Sequence, residues 1–335
     1  MRGGRVSDSE TWAFVAWWPH SRRGEVFARA LGGRLYCIYN FPTKGALYAP
    51  LRYFLQAVRT LRVLFAERPS VVYAQNPPFV CGLVVYLYHR VTAARFVLDH
   101  HSAAFAQVWD WAAPVQRFVA RRAVTNIVTN QHWAEVVASW GAHALVMGDP
   151  FLELPTGEPF PLAETAAFHV AVVSTFSPDE PLEAVVGAAA RLPDVHFYIT
   201  GDGSRYPRSF FEKLPPNVIC TGFLPDARYV GLLRAADAVM VLTTRNHTLQ
   251  LGGCEAVSLC RPLITSDWPF LREFFPRGTV HVANTADNIC AGVERMRREH
   301  HRFRQEMSAF RRIARRRWEE QVECLRVLLA EGSVS

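Results

Sequence analysis

Glu255 stands in the tract RNHTLQLGGCEAV, where a strand hands over to a helix through a polar loop that ends in paired glycines. Bare backbone N–H groups at such a helix start, together with the positive end of the helix dipole, suit a diphosphate. A carboxylate in the first helical turn can accept hydrogen bonds from two neighbouring ribose hydroxyls. The pattern predicts a helix beginning near Cys254, with Glu255 in its first turn and Leu251, Gly252 and Gly253 in the loop before it. A second tract is GDG at 201–203, where Gly201 and Gly203 flank Asp202 after a strand and would let the backbone approach a ligand or take positive φ. A third is the end of ARFVLDHH, where Asp99, His100 and His101 put a carboxylate beside two imidazoles, groups that can move protons near neutral pH. Each tract also has a plainer use. Paired glycines mark ordinary turns, and an acid in a first helical turn complements the dipole.

The elements that would position these groups alternate strand and helix throughout. In the second half, HVAVVSTFSPDEP enters the helical pattern LEAVVGAAARL. The strands VHFYITGDG and NVICTGFLP follow, then the helix DARYVGLLRAAD, the strand AVMVLTT and, beyond Glu255, the strand RPLITSD. The first half reads the same way. Its strands are WAFVAWWP, RLYCIYNF, SVVYAQNPP, ARFVLDHH, NIVTNQ (126–131) and HALVMGDPF (143–151), with helices over RRGEVFARALG and 51–68. Such alternation predicts right-handed βαβ units and an α/β fold with parallel sheets, whose ligands sit at the carboxyl ends of the strands. The proline-rich stretch 152–165 is the natural linker between a domain over 1–152 and another over 165–290. After Asn284 the chain turns helical and basic, with ten arginines between Arg295 and Arg317.

With 335 residues, half of them hydrophobic, the chain can bury two cores. Its seven cysteines form no C-x-x-C pair, so reduced thiols and no metal cluster are expected. The longest nearly unbroken apolar run, Phe79 to Tyr88, is far short of the ~20 residues of a spanning helix. The opening MRGGRVSDSETW lacks an apolar signal core, so a cytoplasmic location is expected. Residues 1–149 carry 16 Lys/Arg against 8 Asp/Glu, whereas the remainder carries 21 against 22. That asymmetry favours an anionic partner for the first half, such as lipid headgroups or a phosphate-bearing acceptor. In the helix 51–68, Tyr53, Phe54 and Phe65 lie among Arg52, Arg59 and Arg62, which suits an anionic membrane surface and a peripheral attachment. No nucleic-acid-binding module surrounds the arginine-rich tail. Neither G-x-G-x-x-G nor a phosphate-loop motif occurs.

Glu255 followed by RPLITSD, with GDGS at 201–204, GFLP at 222–225 and AADAV at 235–239, resembles the donor domain of GT-B glycosyltransferases, family 4 and its relatives. The resemblance implies two Rossmann-like domains facing across a cleft. It places the donor ribose on Glu255 and the nucleotide base near the Gly222–Leu224 turn, hence near Phe223 and Leu224. It implies no cofactor and no catalytic metal, the donor being a UDP- or GDP-linked sugar. Two departures stand out. The second glutamate common in the family is His247 here, and the arginine and lysine of its first donor loop are Thr175 and Glu180. STFSPDEP, QNPP at 75–78 and Asp99-His100-His101 resemble segments of the eukaryotic β-1,4-mannosyltransferases that extend dolichol-linked chitobiose. The first strand-to-helix loop would then bring Arg22, Arg23 and Gly24 to the donor phosphates or the acceptor.

The implied activity is transfer of a hexose, mannose among the candidates, to a lipid-linked or saccharide acceptor. An inverting transfer needs a general base, for which His101 and Asp99 are the candidates; a retaining one needs none, and both stay open. Two other classes share the donor half. They are a sugar-nucleotide epimerase or hydrolase, recognised by free sugar or epimer, and a non-catalytic sugar-nucleotide-binding protein, recognised by binding without turnover.

Overall fold

A computed structural model describes residues 11–39, 48–148, 152, 154–164 and 168–331. The chain divides into two compact units, Met1–Pro150 with Trp318–Ser335, and Phe151–Arg317. The expected readings at the N-terminus, at the end of the second strand (40–41) and at 149–151 lie outside the described residues.

The first unit interleaves β1 (Trp12–Ala16), α1 (Arg22–Leu31), β2 (Arg34–Cys37), α2 (Ala49–Glu67), β3 (Val71–Asn76), α3 (Phe79–Thr92), β4 (Arg95–His100), α4 (Ala113–Ala120), β5 (Thr125–Val128), α5 (Gln131–Ser139) and β6 (Ala144–Val146). All strands run parallel, in the order β2-β1-β3-β4-β5-β6. Helices cover both faces of such a sheet, which is why WAFVA and FVL are unbroken apolar runs rather than alternating ones. The Ser21 hydroxyl caps α1 by accepting from Gly24 N, and Gly32, at φ 72°, ends it. The strand expected over 126–131 stops at Val128, because the Asn130 side chain accepts from Trp133 N and starts α5.

The second unit runs β7 (Phe168–Val172), α6 (Leu182–Ala189), β8 (Val195–Thr200), α7 (Arg208–Phe211), β9 (Val218–Gly222), α8 (Asp226–Ala235), β10 (Ala238–Val241), α9 (Leu251–Ser258), β11 (Leu263–Ser266), α10 (Pro269–Phe274), β12 (Thr279–Val282), α11 (Ala286–Arg298) and α12 (His300–Glu331). Its sheet is also parallel, ordered β12-β11-β10-β7-β8-β9, the doubly wound arrangement. The strand order reverses between β7 and β10, so a crevice opens above their carboxyl ends. Residues 154–164 carry no helix or strand but are strapped to this unit: Glu158 N donates to Ala227 O at 2.9 Å, and Ala163 N to the Tyr198 hydroxyl at 2.9 Å. From Trp318 onward α12 belongs to the first unit, where Trp318 meets Phe27 edge-on at 4.9 Å.

A buried polar chain crosses the first sheet. Asn126 Nδ2 donates to the Ala120 and His143 carbonyls, each at 2.9 Å, so its Oδ1 accepts from His100 Nε2–H at 2.9 Å. His100 Nδ1 then accepts from Asn76 Nδ2 at 2.8 Å, which fixes a neutral ring. Burial lowers the His100 imidazole below its ordinary value, against opposing contributions from Asn126 and Asp99; burial lowers His169 and His281 as well. The unfolded chain therefore binds more protons than the folded one once the pH drops below about 6.5, and stability should fall from about pH 7 towards pH 5. Thermal unfolding by circular dichroism should show a descending midpoint over that range. A midpoint that stays flat or rises contradicts the buried neutral ring.

Candidate active site

Two strand ends in the first unit carry the residues expected to move protons. β3 and β4 pair with Gln75 beside Asp99 and Asn76 beside His100. Asp99 is 1% exposed and lies against Arg23, the second residue of α1. Arg23 Nε donates to Asp99 Oδ2 at 2.9 Å and Nη2 to Oδ1 at 3.0 Å, while Nη1 donates to Gly148 O at 2.9 Å. Burial alone would raise the Asp99 carboxyl, but the Arg23 guanidinium and His101 outweigh it and hold it well below the usual carboxylate range. A carboxylate held that low does not accept a proton near neutral pH.

Three expectations change here. Asp99 is a charge partner rather than a general base. Arg23 points into the fold rather than towards phosphates. Gly24 is a packing glycine, since a Cβ there would meet Ser21 Oγ at 2.8 Å and Leu35 at 3.0 Å. Ser21 Oγ in turn donates to Gln75 Oε1 at 2.6 Å, tying the start of α1 to β3. Arg22 stands half-buried at the first position of α1. His101, just past β4, is half-buried with Nε2 3.3 Å from Asp99 Oδ2, off the axis of a hydrogen bond. That contact is an ion pair only when the ring is charged.

In the second unit the loop after β7 is organised by Glu180. Its carboxylate accepts from Ser174 Oγ (2.7 Å), Thr175 N (3.0 Å), Thr175 Oγ1 (3.1 Å) and Ser177 N (3.1 Å). Thr175 is thereby turned onto its own loop. Asp179 next to it accepts from Thr243 Oγ1 at 2.8 Å, and its carbonyl from Thr244 N at 2.7 Å, so the loops after β7 and β10 are joined. Gly201 passes directly under this knot: a Cβ there would lie 2.3 Å from Ser174 O, and φ is +106°. A Cβ at Gly203 would strike Phe211 at 2.6 Å. The Asp202 side chain accepts from Ser204 N at 3.0 Å, capping a short turn. Within GDG, the structure thus accounts for each residue through the loop itself.

The helix carrying Glu255 begins at Leu251, three residues earlier than the sequence pattern predicts. Gly252 and Gly253 lie inside it, not in a loop. A Cβ at Gly252 would fall 2.8 Å from Val173 Cγ1, and one at Gly253 2.7 Å from the Phe275 ring. Gly252 lets α9 press onto the sheet and Gly253 makes room for the Phe275 ring, which sets the N-terminus of α9, with the N–H groups of Leu251 and Gly252, over the end of β7. Glu255 accordingly falls at the start of the second turn. It is 3% exposed, and its Oε2 accepts from the Tyr229 hydroxyl of α8. Tyr229 is a site residue that sequence reasoning missed. Gly222, at φ 68°, turns the chain after β9 and leaves Phe223 81% exposed, with Leu224 half-buried behind it. His247 takes φ 56°, its N–H donating to Asn246 Oδ1 at 2.8 Å. Among the described residues no group of three or more His, Cys, Asp or Glu is placed to hold a metal ion.

Residues 180–324 match the family model described as glycosyl transferase-like. No curated protein sequence matches the chain. Among solved structures it is similar to HepE of Anabaena in complex with UDP and glucose, at 14% identity and TM-score 0.68 over 96% of this chain and 99% of that one. It is similar to sucrose-phosphate synthase of Thermosynechococcus elongatus, at 14% identity and TM-score 0.65 over 97% and 98%. It is also similar to MnaA of S. aureus in complex with UDP, at 11% identity and TM-score 0.60 over 89% and 91%. The fold is GT-B, with two six-stranded parallel sheets in Rossmann-like units.

Asp99→Ala would leave Arg23 buried without its partner and should cost about 3–5 kcal/mol in urea unfolding. Arg23→Met combined with Asp99→Leu should cost less than the two single changes added together. A loss below about 1 kcal/mol for Asp99→Ala would mean that the pair is solvated rather than buried.

Proposed function

We propose that this chain is a glycosyltransferase that moves a hexose from a UDP- or GDP-linked donor to a lipid-linked or saccharide acceptor. The observation that carries the proposal is Glu255, a buried carboxylate steadied by Tyr229 on the helix whose start overlies the switch between β7 and β10. The glycosyl transferase-like match over residues 180–324 covers every element of that arrangement except β7 and the first residues of the loop after it. Solved GT-B neighbours holding UDP or UDP-glucose support a sugar nucleotide as ligand. In this reading Glu255 takes the ribose hydroxyls, the first N–H groups of α9 face the diphosphate, and exposed Phe223 covers the base. His247 lies in the loop that leads to α9 and faces the transferred sugar.

The first unit supplies the acceptor chemistry. An acceptor hydroxyl oxygen attacks the anomeric carbon, the bond to the diphosphate oxygen breaks, and that oxygen keeps the electron pair. The hydroxyl proton passes to His101 Nδ1, the nitrogen turned away from Asp99. Asp99, fixed by Arg23, stabilises the resulting imidazolium, and the transfer inverts the anomeric centre. Mannose is the first sugar to test, on the strength of STFSPDEP and QNPP. The reaction draws on side chains and a helix terminus, without a metal or cofactor.

The acceptor side also fits a membrane surface. Ten of the fourteen large apolar side chains exposed among the described residues fall between 48 and 118, on α2 and the residue before it, α3, α4 and the turn before α4. Phe54 and Phe65, Leu87 and Val91, Trp111 and Phe118 are among them, and ring contacts between Phe65 and Tyr88 and between Tyr86 and Phe118 join the three helices into one layer. Arg59, Arg62, Arg90, Arg117, Arg121 and Arg122 are exposed on the same elements and the turn that ends them. Apolar and guanidinium groups side by side suit an interface of anionic headgroups. No described helix is long and apolar enough to cross a membrane.

Thermal-shift screening with UDP, GDP, ADP and their sugar conjugates tests the donor reading. Saturation at a hundred times the dissociation constant adds about 2.7 kcal/mol to stability. Glu255→Ala should abolish the shift, whereas His101→Ala should keep the shift and lose transfer. A mutant at position 255 that responds like wild type would sink the assignment, and free sugar or epimer without acceptor product would transfer the case to an epimerase or hydrolase. Separately, reversing charge at Arg52, Arg59 and Arg62 should abolish sedimentation with phosphatidylglycerol-containing vesicles. Unchanged sedimentation removes the membrane reading.

A further inference from the structure

A diphosphate carries at least two negative charges, and the strand ends beneath α9 are poorly prepared for them. Residues 173–181, the loop after β7, contain no basic side chain. They contain two carboxylates instead, and Glu180 is enclosed by hydroxyl and amide donors of its own loop. A helix N-terminus offers about half an elementary charge, too little to balance such a ligand. A cation must come from elsewhere.

Among the described side chains of the loops after β7, β10 and β11 and the short helix α10, two are arginines. Arg272 is committed: its guanidinium grips Asp267 through two nitrogens, with Nη2 2.7 Å from Oδ2. Arg245 is differently placed. It lies in the loop from Leu242 to Gln250, whose ends are drawn together by a hydrogen bond from Gln250 Nε2 to Leu242 O at 3.1 Å. Gln250 is also the residue that precedes the first turn of α9. The base of that loop is rigid, since Thr243 is held by Ser266, by Asp179, by Trp268 Nε1 at 3.0 Å and by Asn284 Nδ2 at 2.9 Å. On this base the Arg245 guanidinium is more than half exposed and meets the largely buried Asp179 carboxylate only at 3.6 Å, longer than a hydrogen bond.

Resting on the donor reading above, we infer that Arg245 is the residue that neutralises the donor diphosphate, turning from Asp179 to the phosphates when the nucleotide binds. Asp179 keeps the guanidinium above the end of β7 until then. The planar guanidinium offers paired N–H donors to phosphate oxygens, which a lysine would not reproduce fully.

The test compares the affinities of UDP and UMP, and of GDP and GMP, for wild type, Arg245→Ala, Arg245→Lys and Arg272→Ala by calorimetry. Unfolding without ligand, run in parallel, confirms that each variant is folded. For the preferred base, wild type should favour the diphosphate over the monophosphate. Arg245→Ala should lower diphosphate affinity by ten- to a hundredfold and collapse that preference, with monophosphate binding little changed; Arg245→Lys should recover part of it, and Arg272→Ala should keep the preference of wild type. If Arg245→Ala keeps the preference, or if Arg272→Ala is the variant that loses it, this inference fails while the donor site stands. If wild type binds none of the four nucleotides, the donor reading falls and this inference with it.

Discussion

Asp99 can sit at the end of β4 out of water because the Arg23 guanidinium goes with it. An isolated carboxylate at that depth would cost several kcal/mol or take up a proton. With Arg23 bound through two nitrogens, the charge stays and acquires direction. That one pair fixes much around it. It pulls the start of α1 beneath the strand ends, takes the carbonyl of Gly148 beyond β6, and leaves His101 as the half-buried neighbour of a permanent negative charge. Remove the arginine, and Asp99 loses its cation while the helix start keeps the Ser21–Gln75 tie.

The second unit handles its carboxylates differently. Glu180 is buried like Asp99 but has no cation; four hydroxyl and amide donors from three neighbouring positions surround it. Such a shell fixes a loop without lending it positive character. Glu255 accepts from the Tyr229 hydroxyl. Neutral donors keep Glu180 in place and leave the field of its loop negative.

Much of the architecture was legible in the chain itself. Apolar runs bounded by Gly, Pro and Asn mark most strands, and their alternation with helices leaves a parallel α/β fold as the natural outcome. The site was legible by residue type more than by role. Glu255 stood out because it follows paired glycines, yet those glycines belong to the helix: their missing side chains admit Val173 and the Phe275 ring, contacts with residues far away in sequence. Arg23 read as a cation for the donor phosphates or the acceptor, since nothing near it in sequence announces Asp99, 76 positions on. Tyr229 was hidden for the same reason, 26 residues from the carboxylate it steadies. Local pattern gives periodicity and caps; partners brought in by the fold have no local signal.

The closing turns of α12 complete the first unit rather than the second, with Trp318 against Phe27 and Val322, Leu325 and Leu329 buried. On the ribosome, therefore, the first sheet and its helices emerge long before the segment that seals them. For the whole time the second unit is being made, Phe27 and its neighbours await that cover.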